Sequence, residues 1–440
     1  MANQTHLIVL VHGLWGNVHH LDALHEALTS HLSSIPANDA IQHIVHKCSS
    51  NQGNFTYDGI VLGGERLANE IRTLQNEYAN SNTPVTMLSI VGYSLGGLIS
   101  RYAIGCLYKD FEAGLRLVNF TTFGSPHVGI RFIPELERSV SRFYSGALNF
   151  IAPRILSATG AQLFLHDSND YISKEPLLLL MSQKSSIFYK ALAKAEHLSL
   201  YSNIIGDRCS WFTAAISHTD PYALLYTVPR TTEHDPRSEV ALSIPSVKGY
   251  DPVIIDPSAP VRLVHNVRGR RRTGSLEEVK AAGSRVGHWF KSLLLILVFA
   301  PVFSIFLIAM LKIKSIFSRN RLTKFKESNI SILTEEEYIW VEDQIQGTLD
   351  IVEGTPHVDI DNIETVAEDD NRVPPLKLSL SPEQHKIIDN LNSLPWKKYG
   401  CHITATDRNH RAMIMREKGI RTYEEGKLCI QHWVDHFATE

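Results

Sequence analysis

Ser94 has the neighbours that most clearly suggest catalytic chemistry, because it lies in the segment GYSLGG at 92–97. The apolar run Val85–Val91 precedes this segment, and a helix-like stretch, Gly96–Leu107, overlaps its end. The glycines permit a tight strand-to-helix turn, on which a serine Oγ projects beyond the sheet while the helix N-terminus favours negative charge. The pattern therefore predicts Ser94 as the nucleophile of an acyl-transfer reaction.

A second glycine loop, HGLWG at 12–16, follows the first apolar run, Leu7–Val11. In hydrolases with a serine nucleophile, such a loop supplies one backbone N–H of the oxyanion hole, and the residue after the serine supplies the other. We therefore expect the amides of Leu14 and Leu95 to hold the oxyanion, where the loss of one donor costs about 3 kcal/mol. The alternative is a glycine turn that ends the strand, with a structural His12.

Three aspartates are candidates for the acid that orients the base. In chain order, the acid should lie between the serine and the histidine. Asp207 comes just after the strand-like segment Leu200–Ile205, so its carboxylate is expected to face the site. Asp170 and Asp220 have no strand before them. The sequence therefore favours Asp207, and the alternative interpretation is an ordinary turn aspartate.

The general base is expected to be a histidine after the last strand, which we predict at about Tyr399–Ala405. His410 follows that strand by a short loop, so its Nε2 could meet the serine while Nδ1 meets the carboxylate. His218 is a rival because it lies before a long insertion, and His402 is a lesser candidate that should pack within the strand. We favour His410.

The elements that must position these residues alternate along the chain. Branched apolar runs alternate with segments of helical spacing, which predicts an α/β fold with a mostly parallel sheet. The strands are expected at Leu7–Val11, Val85–Val91, Leu117–Phe123, Leu200–Ile205 and Tyr399–Ala405, and the helices at Leu21–Leu32, Gly96–Leu107 and after Ser381. Residues 130–195 form an apolar insertion, which fits either a lid over an acyl pocket or a helical cap packed on the sheet.

Composition narrows the class of protein. The 440 residues are 44% hydrophobic and 20% charged, with a formal net charge of −3, which excludes a disordered chain and argues against a nucleic-acid partner. The five cysteines are widely spaced and never form CxxC, so we expect buried thiols rather than disulfides or a metal site, and no cofactor is implied. The N-terminus has no basic n-region or long apolar stretch, which predicts synthesis without secretion.

Residues 293–311 are nineteen consecutive uncharged residues, close to the length that crosses a hydrocarbon core of roughly 30 Å as a helix. A full crossing would separate Ser94 from His410. Pro301 lies near the middle and favours a kink, and seven basic residues before the run balance six after it, unlike the asymmetry of a spanning helix. We therefore predict a membrane hairpin with both ends in the cytosol; the alternative is a very apolar core helix.

Several motifs together resemble the serine esterases of fungi and plants, an α/β-hydrolase lipase family that includes fungal lipid-droplet phospholipases. The resemblance covers about residues 6–225 and 378–420, and it implies Ser94 as nucleophile, Asp207 as acid, His410 as base and acyl-ester lipids as substrates. The chain departs from the family pattern at one place. After the Asp-Arg pair, family members often have Thr or Ser followed by Val-Pro, whereas here Asp207-Arg208 is followed by Cys209-Ser210-Trp211. The motifs are HGLWG at 12–16, GYSLGG at 92–97, FGSPHVG at 123–129, IGDR at 205–208, LNSLPWKK at 391–398 and HRAMI at 410–414.

Together these features predict an α/β-hydrolase core in two parts, residues 1–225 and 376–440, separated by an insertion over 226–375. The insertion contains the membrane segment with its basic flanks and an acidic linker over 327–371. The expected activity is hydrolysis of glycerolipids or phospholipids at a lipid-droplet or endoplasmic-reticulum surface, with the catalytic part facing the cytosol. The alternatives are a tethered acyl thioesterase or short-chain esterase, and a non-catalytic scaffold.

Overall fold

The structure is a computed structural model, which describes the following residues: 4–36, 40–132, 149–150, 153–154, 156–167, 175–207, 209–223, 225, 240–265, 312–324, 372 and 375–440. The predicted membrane segment 293–311, the acidic linker 327–371 and Asp170 lie outside these residues. So do residues 133–148 of the apolar insertion.

A seven-stranded sheet forms the centre of the fold, in the order β2-β1-β3-β4-β5-β11-β8. All pairs within it are parallel except the pair of β11 with β8, which confirms the mostly parallel sheet. Two short antiparallel pairs, β6 with β10 and β7 with β9, lie beside it. The strands are β1 Gln4–Val11, β2 Ile41–Lys47, β3 Val85–Tyr93, β4 Arg116–Phe123, β5 His197–Asn203, β6 Thr219–Asp220, β7 Val240–Ser243, β8 Ile254–Ile255, β9 Arg262–His265, β10 Leu376–Lys377 and β11 Lys397–Cys401.

Helices cover both faces of this sheet, and β1 shows why. Every residue of β1 after Gln4 is buried, with Leu7 and Val9 in one apolar cluster and Ile8 and Leu10 in another. A strand buried on both faces needs the continuous apolar run that predicted it. The helices are α1 Asp22–Ser34, α2 Gly59–Asn80, α3 Leu95–Cys106, α4 Tyr108–Glu112, α5 Ser157–Leu163, α6 Leu177–Leu180, α7 Ile187–Leu192, α8 Trp211–Ala214, α9 (described over 312–324), α10 Pro382–Asn392, α11 Asn409–Ala412 and α12 Gly426–Asp435.

The observed elements differ from the predicted ones in two respects. The last two parallel strands run over His197–Asn203 and Lys397–Cys401, so their predicted bounds, Leu200–Ile205 and Tyr399–Ala405, were too late. Helix α2 and strand β2 were not predicted, and α2 packs closely on α3 because its glycines have no side chain. A Cβ on Gly64 would lie 2.5 Å from Cδ1 of Tyr102.

The described part of the apolar insertion over 175–195 is packed against the core. Phe188 of α7 lies on Gly105 of α3, and its ring centroid is 4.7 Å from that of Tyr102. Leu178 and Met181 are fully buried. This stretch therefore forms a helical layer over α3.

The long insertion leaves and rejoins the core at one place. Arg262 of β9 pairs with Arg372 in an antiparallel bridge, and β10 follows directly and pairs with β6. Strand β8, although it lies within 226–375, joins the central sheet beside β11. Within the described ranges, none of the helices has the length and apolar character to cross a membrane.

Candidate active site

Ser94 occupies a strained turn between β3 and α3. Its φ is +56° and its ψ is −125°, a conformation that is uncommon for a residue with a side chain. Its N–H donates to the carbonyl of Phe123 at 2.8 Å, which fixes the turn to the end of β4. A Cβ on Gly92 would lie 2.4 Å from Cα of Gly97, and one on Gly96 would lie 2.3 Å from the carbonyl oxygen of Val11. Only glycine fits at these two positions.

The HGLWG loop lies directly against this turn. A Cβ on Gly13 would be 2.7 Å from Cβ of Ser94 and 3.3 Å from its Oγ, so the loop passes close to the hydroxyl. Leu14 follows on this loop, and Leu95 is the first residue of α3, where an amide has no acceptor inside the helix. Both predicted oxyanion donors therefore border Ser94.

His12 supports the loop from within the core. It is buried, and its Nδ1 donates to the carbonyl of Gly13 at 3.1 Å. Burial lowers its pKa, so the imidazole is neutral at pH 7. The side chain thereby orients the peptide group between Gly13 and Leu14.

Asp207 and His410 are hydrogen-bonded to each other. Nδ1 of His410 lies 2.9 Å from Oδ2 of Asp207, although the two residues are 203 positions apart. The carboxylate also accepts the side-chain amide of Asn203 at 2.6 Å and the backbone N–H of Cys209 at 2.8 Å. The Asp207 side chain is 1% exposed, whereas that of His410 is 24% exposed. The carboxylate is thus held rigidly, and the imidazole keeps one edge accessible.

Two residues next to the serine turn hold the imidazole in place. The ring of Tyr93 packs on His410 with 4.9 Å between centroids, and its hydroxyl donates to the His410 carbonyl at 3.0 Å. On Gly124, which has φ +55°, a Cβ would lie 3.0 Å from both Cε1 and Nδ1 of His410. Tyr93 precedes Ser94, and Gly124 follows Phe123, whose carbonyl accepts the N–H of Ser94. The Asp207–His410 pair therefore lies beside the turn.

The rival residues lie in different surroundings. His218 is hydrogen-bonded to Asp389 at 2.8 Å and to His385 at 3.0 Å, next to α10. His402 comes directly after β11, and its N–H donates to the carbonyl of Val253. Asp220 is buried in β6 and accepts the N–H of Tyr222, and burial raises its pKa to about 7.

A buried arginine below the turn was missed in the sequence. Arg101 of α3 is 1% exposed and donates to the carbonyls of His127 and Met181, at 3.3 and 3.2 Å. It joins α3 to the FGSPHVG loop and to the α6–α7 layer. A single charge within the otherwise apolar stretch from Leu95 to Leu107 was the signal that could have revealed it.

Cys209 adds a third ligand-type atom to the acid–base pair. Its sulfur, a carboxylate oxygen of Asp207 and a ring nitrogen of His410 lie within 4.8 Å of one another. Zinc favours such mixed sulfur, nitrogen and oxygen ligands. The direct hydrogen bond between Asp207 and His410 accounts for their proximity without an ion.

Comparison with known protein families gives a match to the first part of the chain. The family model described as "Putative serine esterase (DUF676)" matches residues 1–219, the first half of the chain. The chain belongs to this serine esterase family. Within the matched residues lie Ser94, the HGLWG loop and Asp207, whereas His410 lies beyond them.

Three curated relatives of this chain come from yeasts. It is 30% identical over 210 residues to "Putative lipase YDL109C" of Saccharomyces cerevisiae, which is 47% of this chain and 29% of the relative. It is 29% identical over 260 residues to "Putative lipase ROG1" of the same yeast, covering 58% and 33% of the two chains. "Putative lipase C4A8.10" of Schizosaccharomyces pombe is 27% identical over 213 residues, or 47% and 25%. The matches thus span a third or less of each relative's length.

Proposed function

We propose that this protein is a serine-dependent lipid esterase that releases fatty acids from glycerolipids or phospholipids through an acyl-enzyme. The observation that carries the proposal is the 2.9 Å contact between His410 and Asp207 beside the strained turn of Ser94. Acyl transfer requires a nucleophile, a base and an orienting acid, and Ser94, His410 and Asp207 are the residue types that serve in these roles.

In the proposed reaction, Ser94 Oγ attacks the ester carbonyl while Nε2 of His410 takes the hydroxyl proton. Asp207 accepts Nδ1–H and stabilises the imidazolium, and the amides of Leu14 and Leu95 hold the oxyanion. The tetrahedral intermediate then collapses: the bond to the alcohol breaks, and His410 returns its proton to the leaving oxygen. Water, activated by the same histidine, hydrolyses the acyl-enzyme to a fatty acid and free serine.

A lipid substrate is supported by the chain's own apolar segment and by the names of its relatives. Residues 293–311 would enter a lipid surface, with basic residues on either side of the run close to anionic head groups. We place the protein on lipid droplets or the endoplasmic-reticulum membrane, with the catalytic part in the cytosol. Pairing of Arg262 with Arg372 supports this hairpin arrangement, because the chain before the apolar run and the chain after it then meet at one core.

Substitution of Ser94 by alanine tests the chemistry. We expect Ser94→Ala to lose roughly 10³-fold or more of its turnover on phospholipid and triacylglycerol dispersions, and to lose labelling by a fluorophosphonate, with its stability unchanged. Ser81→Ala is the matched control, since Ser81 lies exposed at the end of α2. Hydrolysis that survives in Ser94→Ala would contradict the assignment.

The base is tested by comparing two histidines. His410→Ala should lose activity as severely as Ser94→Ala, whereas His218→Ala should retain it, because His218 faces Asp389 and His385. Activity restricted to soluble esters or thioesters in the unmodified protein would keep the triad but refute the lipid substrate. Loss of activity in His218→Ala with full activity in His410→Ala would show that the base is His218.

A further inference from the structure

The described residues expose six large hydrophobic side chains, and five of them belong to one region. Three are on α9, one is on the HGLWG loop, and one is in a short 3-10 helix, Gly53–Tyr57, next to α9. Their exposed fractions lie between 44% and 61%, and contiguous exposed apolar surface marks an interaction site in soluble proteins. The six are Trp15, Phe55, Phe150, Ile313, Ile316 and Phe317.

Helix α9 is attached to the core by polar contacts. The hydroxyl of Ser318 donates to the carbonyl of Tyr57 at 3.0 Å, and the Arg321 guanidinium donates to both carboxylate oxygens of Asp58, at 2.9 and 2.7 Å. Ser318 and the Asp58 side chain are completely buried, and Arg66 also donates to Asp58. A bidentate arginine–carboxylate pair at a buried site fixes orientation strongly.

The outward side of α9 carries three large apolar side chains. Ile313, Ile316 and Phe317 are spaced three and four residues apart, so they share one face of the helix, and each is more than half exposed. This is the reverse of an ordinary surface helix, whose apolar stripe faces the core. The stretch 312–324 has no acidic residue and five basic ones: Lys312, Lys314, Arg319, Arg321 and Lys324.

Two exposed aromatic side chains of the core lie near the place where α9 is attached. Trp15 follows Leu14, is 47% exposed, and donates its indole N–H to the hydroxyl of Tyr57 at 2.6 Å. Phe55 is 44% exposed and lies under the guanidinium of Arg321, with 5.2 Å between the guanidinium carbon and the ring centroid. We call the side chains of Trp15, Phe55, Ile313, Ile316 and Phe317 the docking face.

We propose that the docking face seats the Ser94 side of the protein on an anionic phospholipid surface. Two features select lipid as the occupant. The apolar run 293–311 leads directly into α9, so any lipid that receives the run is next to the helix. The lysines of α9 and Arg319 also complement anionic head groups, while the apolar side chains enter the acyl boundary, as in interfacial amphipathic helices. The inference rests on the proposed function, because it gives the esterase a way to present its site to lipid.

A paired comparison of hydrolysis tests this role. The full chain with Ile316→Glu and Phe317→Glu should hydrolyse phosphatidylcholine–phosphatidylserine vesicles at least tenfold more slowly, yet hydrolyse a soluble short-chain ester within twofold of the unmodified protein. The control, Thr73→Glu with Asn76→Glu, adds the same charge on the exposed side of α2. These positions lie about 20 Å along α2 from its first residue, Gly59, which follows the α9 contact Asp58. It should leave both rates unchanged. Equal vesicle rates in the two double variants would overturn the proposal.

A second measurement does not depend on turnover or on the double variant folding. All five native cysteines are buried, so a single Phe317→Cys in the Ser94→Ala chain can be labelled with an environment-sensitive fluorophore. Its emission should move to shorter wavelength when the same vesicles are added, whereas a label at Thr73→Cys should not respond. No change at position 317 would overturn the docking face. Failure of the esterase assignment would instead show as absent ester hydrolysis in the unmodified protein.

Discussion

Gly124→Ala perturbs the contact that places His410 beside the Ser94 turn. The new Cβ would lie 3.0 Å from Cε1 and Nδ1 of His410 and 3.7 Å from Oδ2 of Asp207. Carbon atoms at optimal contact are about 3.5–4.0 Å apart, so the imidazole must move by at least about 0.5 Å. Tyr93 packs on the ring, and Asp207 holds Nδ1, so the movement must strain the hydrogen bond or turn the ring.

The expected effect on turnover follows from this movement. A displacement of about 1 Å in a catalytic group can reduce the rate by about 10²-fold, so we expect the kcat of Gly124→Ala to fall by roughly 10- to 100-fold. The substitution also adds backbone strain of about 1–2 kcal/mol, because alanine is unfavourable at φ +55°. Loss of activity and loss of stability must therefore be measured separately.

Gly419→Ala is the matched control. Gly419 has φ +78°, and a Cβ there would meet nothing within 4 Å, so the control carries similar backbone strain without touching the site. We would measure kcat on a soluble ester, the rate of fluorophosphonate labelling, and the free energy of unfolding in urea for both variants. If Gly124→Ala turned over as fast as Gly419→Ala at equal stability, His410 would not be positioned by this contact and our account of the site would be refuted.

Two further predictions concern titration and metal inhibition. Because burial raises the pKa of Asp220 from 3.8 to about 7, the folded state binds a proton that the unfolded state has lost, and stability falls as pH rises between these values. At pH 8 the free energy of unfolding of Asp220→Asn, measured in urea, should therefore exceed that of the unmodified protein by up to about 4 kcal/mol. This difference should vanish near pH 4, and an equal gain in stability at both pH values would contradict the prediction. Separately, Zn²⁺ should inhibit esterase activity by binding Asp207, Cys209 and His410. Cys209→Ser should weaken that inhibition at least tenfold, which a zinc titration of the two proteins measures, and unchanged inhibition would exclude the thiol as a ligand.

The parts of the fold that sequence predicts well are those where one local pattern decides the structure. Strands β1, β3 and β4 are buried almost throughout, so apolar residues dominate each of them without strict alternation, and the glycines of GYSLGG permit one kind of turn. Strand β2 has the sequence IQHIVHK, is mostly half-buried at the sheet edge, and has neither a continuous run nor strict alternation. Its place depends on pairing with β1, which local pattern does not contain.

The site shows the same division between local and distant information. The types and the chain order of Ser94, Asp207 and His410 can be read from the sequence. The contacts that bring Asp207 and His410 together cannot be predicted from it. Asn409 is buried, and its side-chain amide donates to the carbonyls of Ile205 and Ile403, at 2.7 and 3.0 Å. It thus joins the loop of the base to the loop of the acid across 204 positions, a pairing that no spacing rule anticipates.

The position of α9 bears on the proposed membrane hairpin. Arg321 lies ten residues after the apolar run and is clamped to Asp58, so the end of the run lies within about 15 Å of the core if the chain between them is helical. Before the run, β9 also belongs to this core, through its pairing with Arg372. If the run crossed the membrane once, its two ends would lie on opposite sides, although the chain on both sides of it joins the same core. Residues 266–292, with their seven basic side chains, would then have to return through a hydrocarbon layer of roughly 30 Å, at a cost of about 2.5–3.5 kcal/mol for each buried charge. A run that enters and leaves on one side avoids that cost, and it also keeps Ser94 and His410 in one compartment.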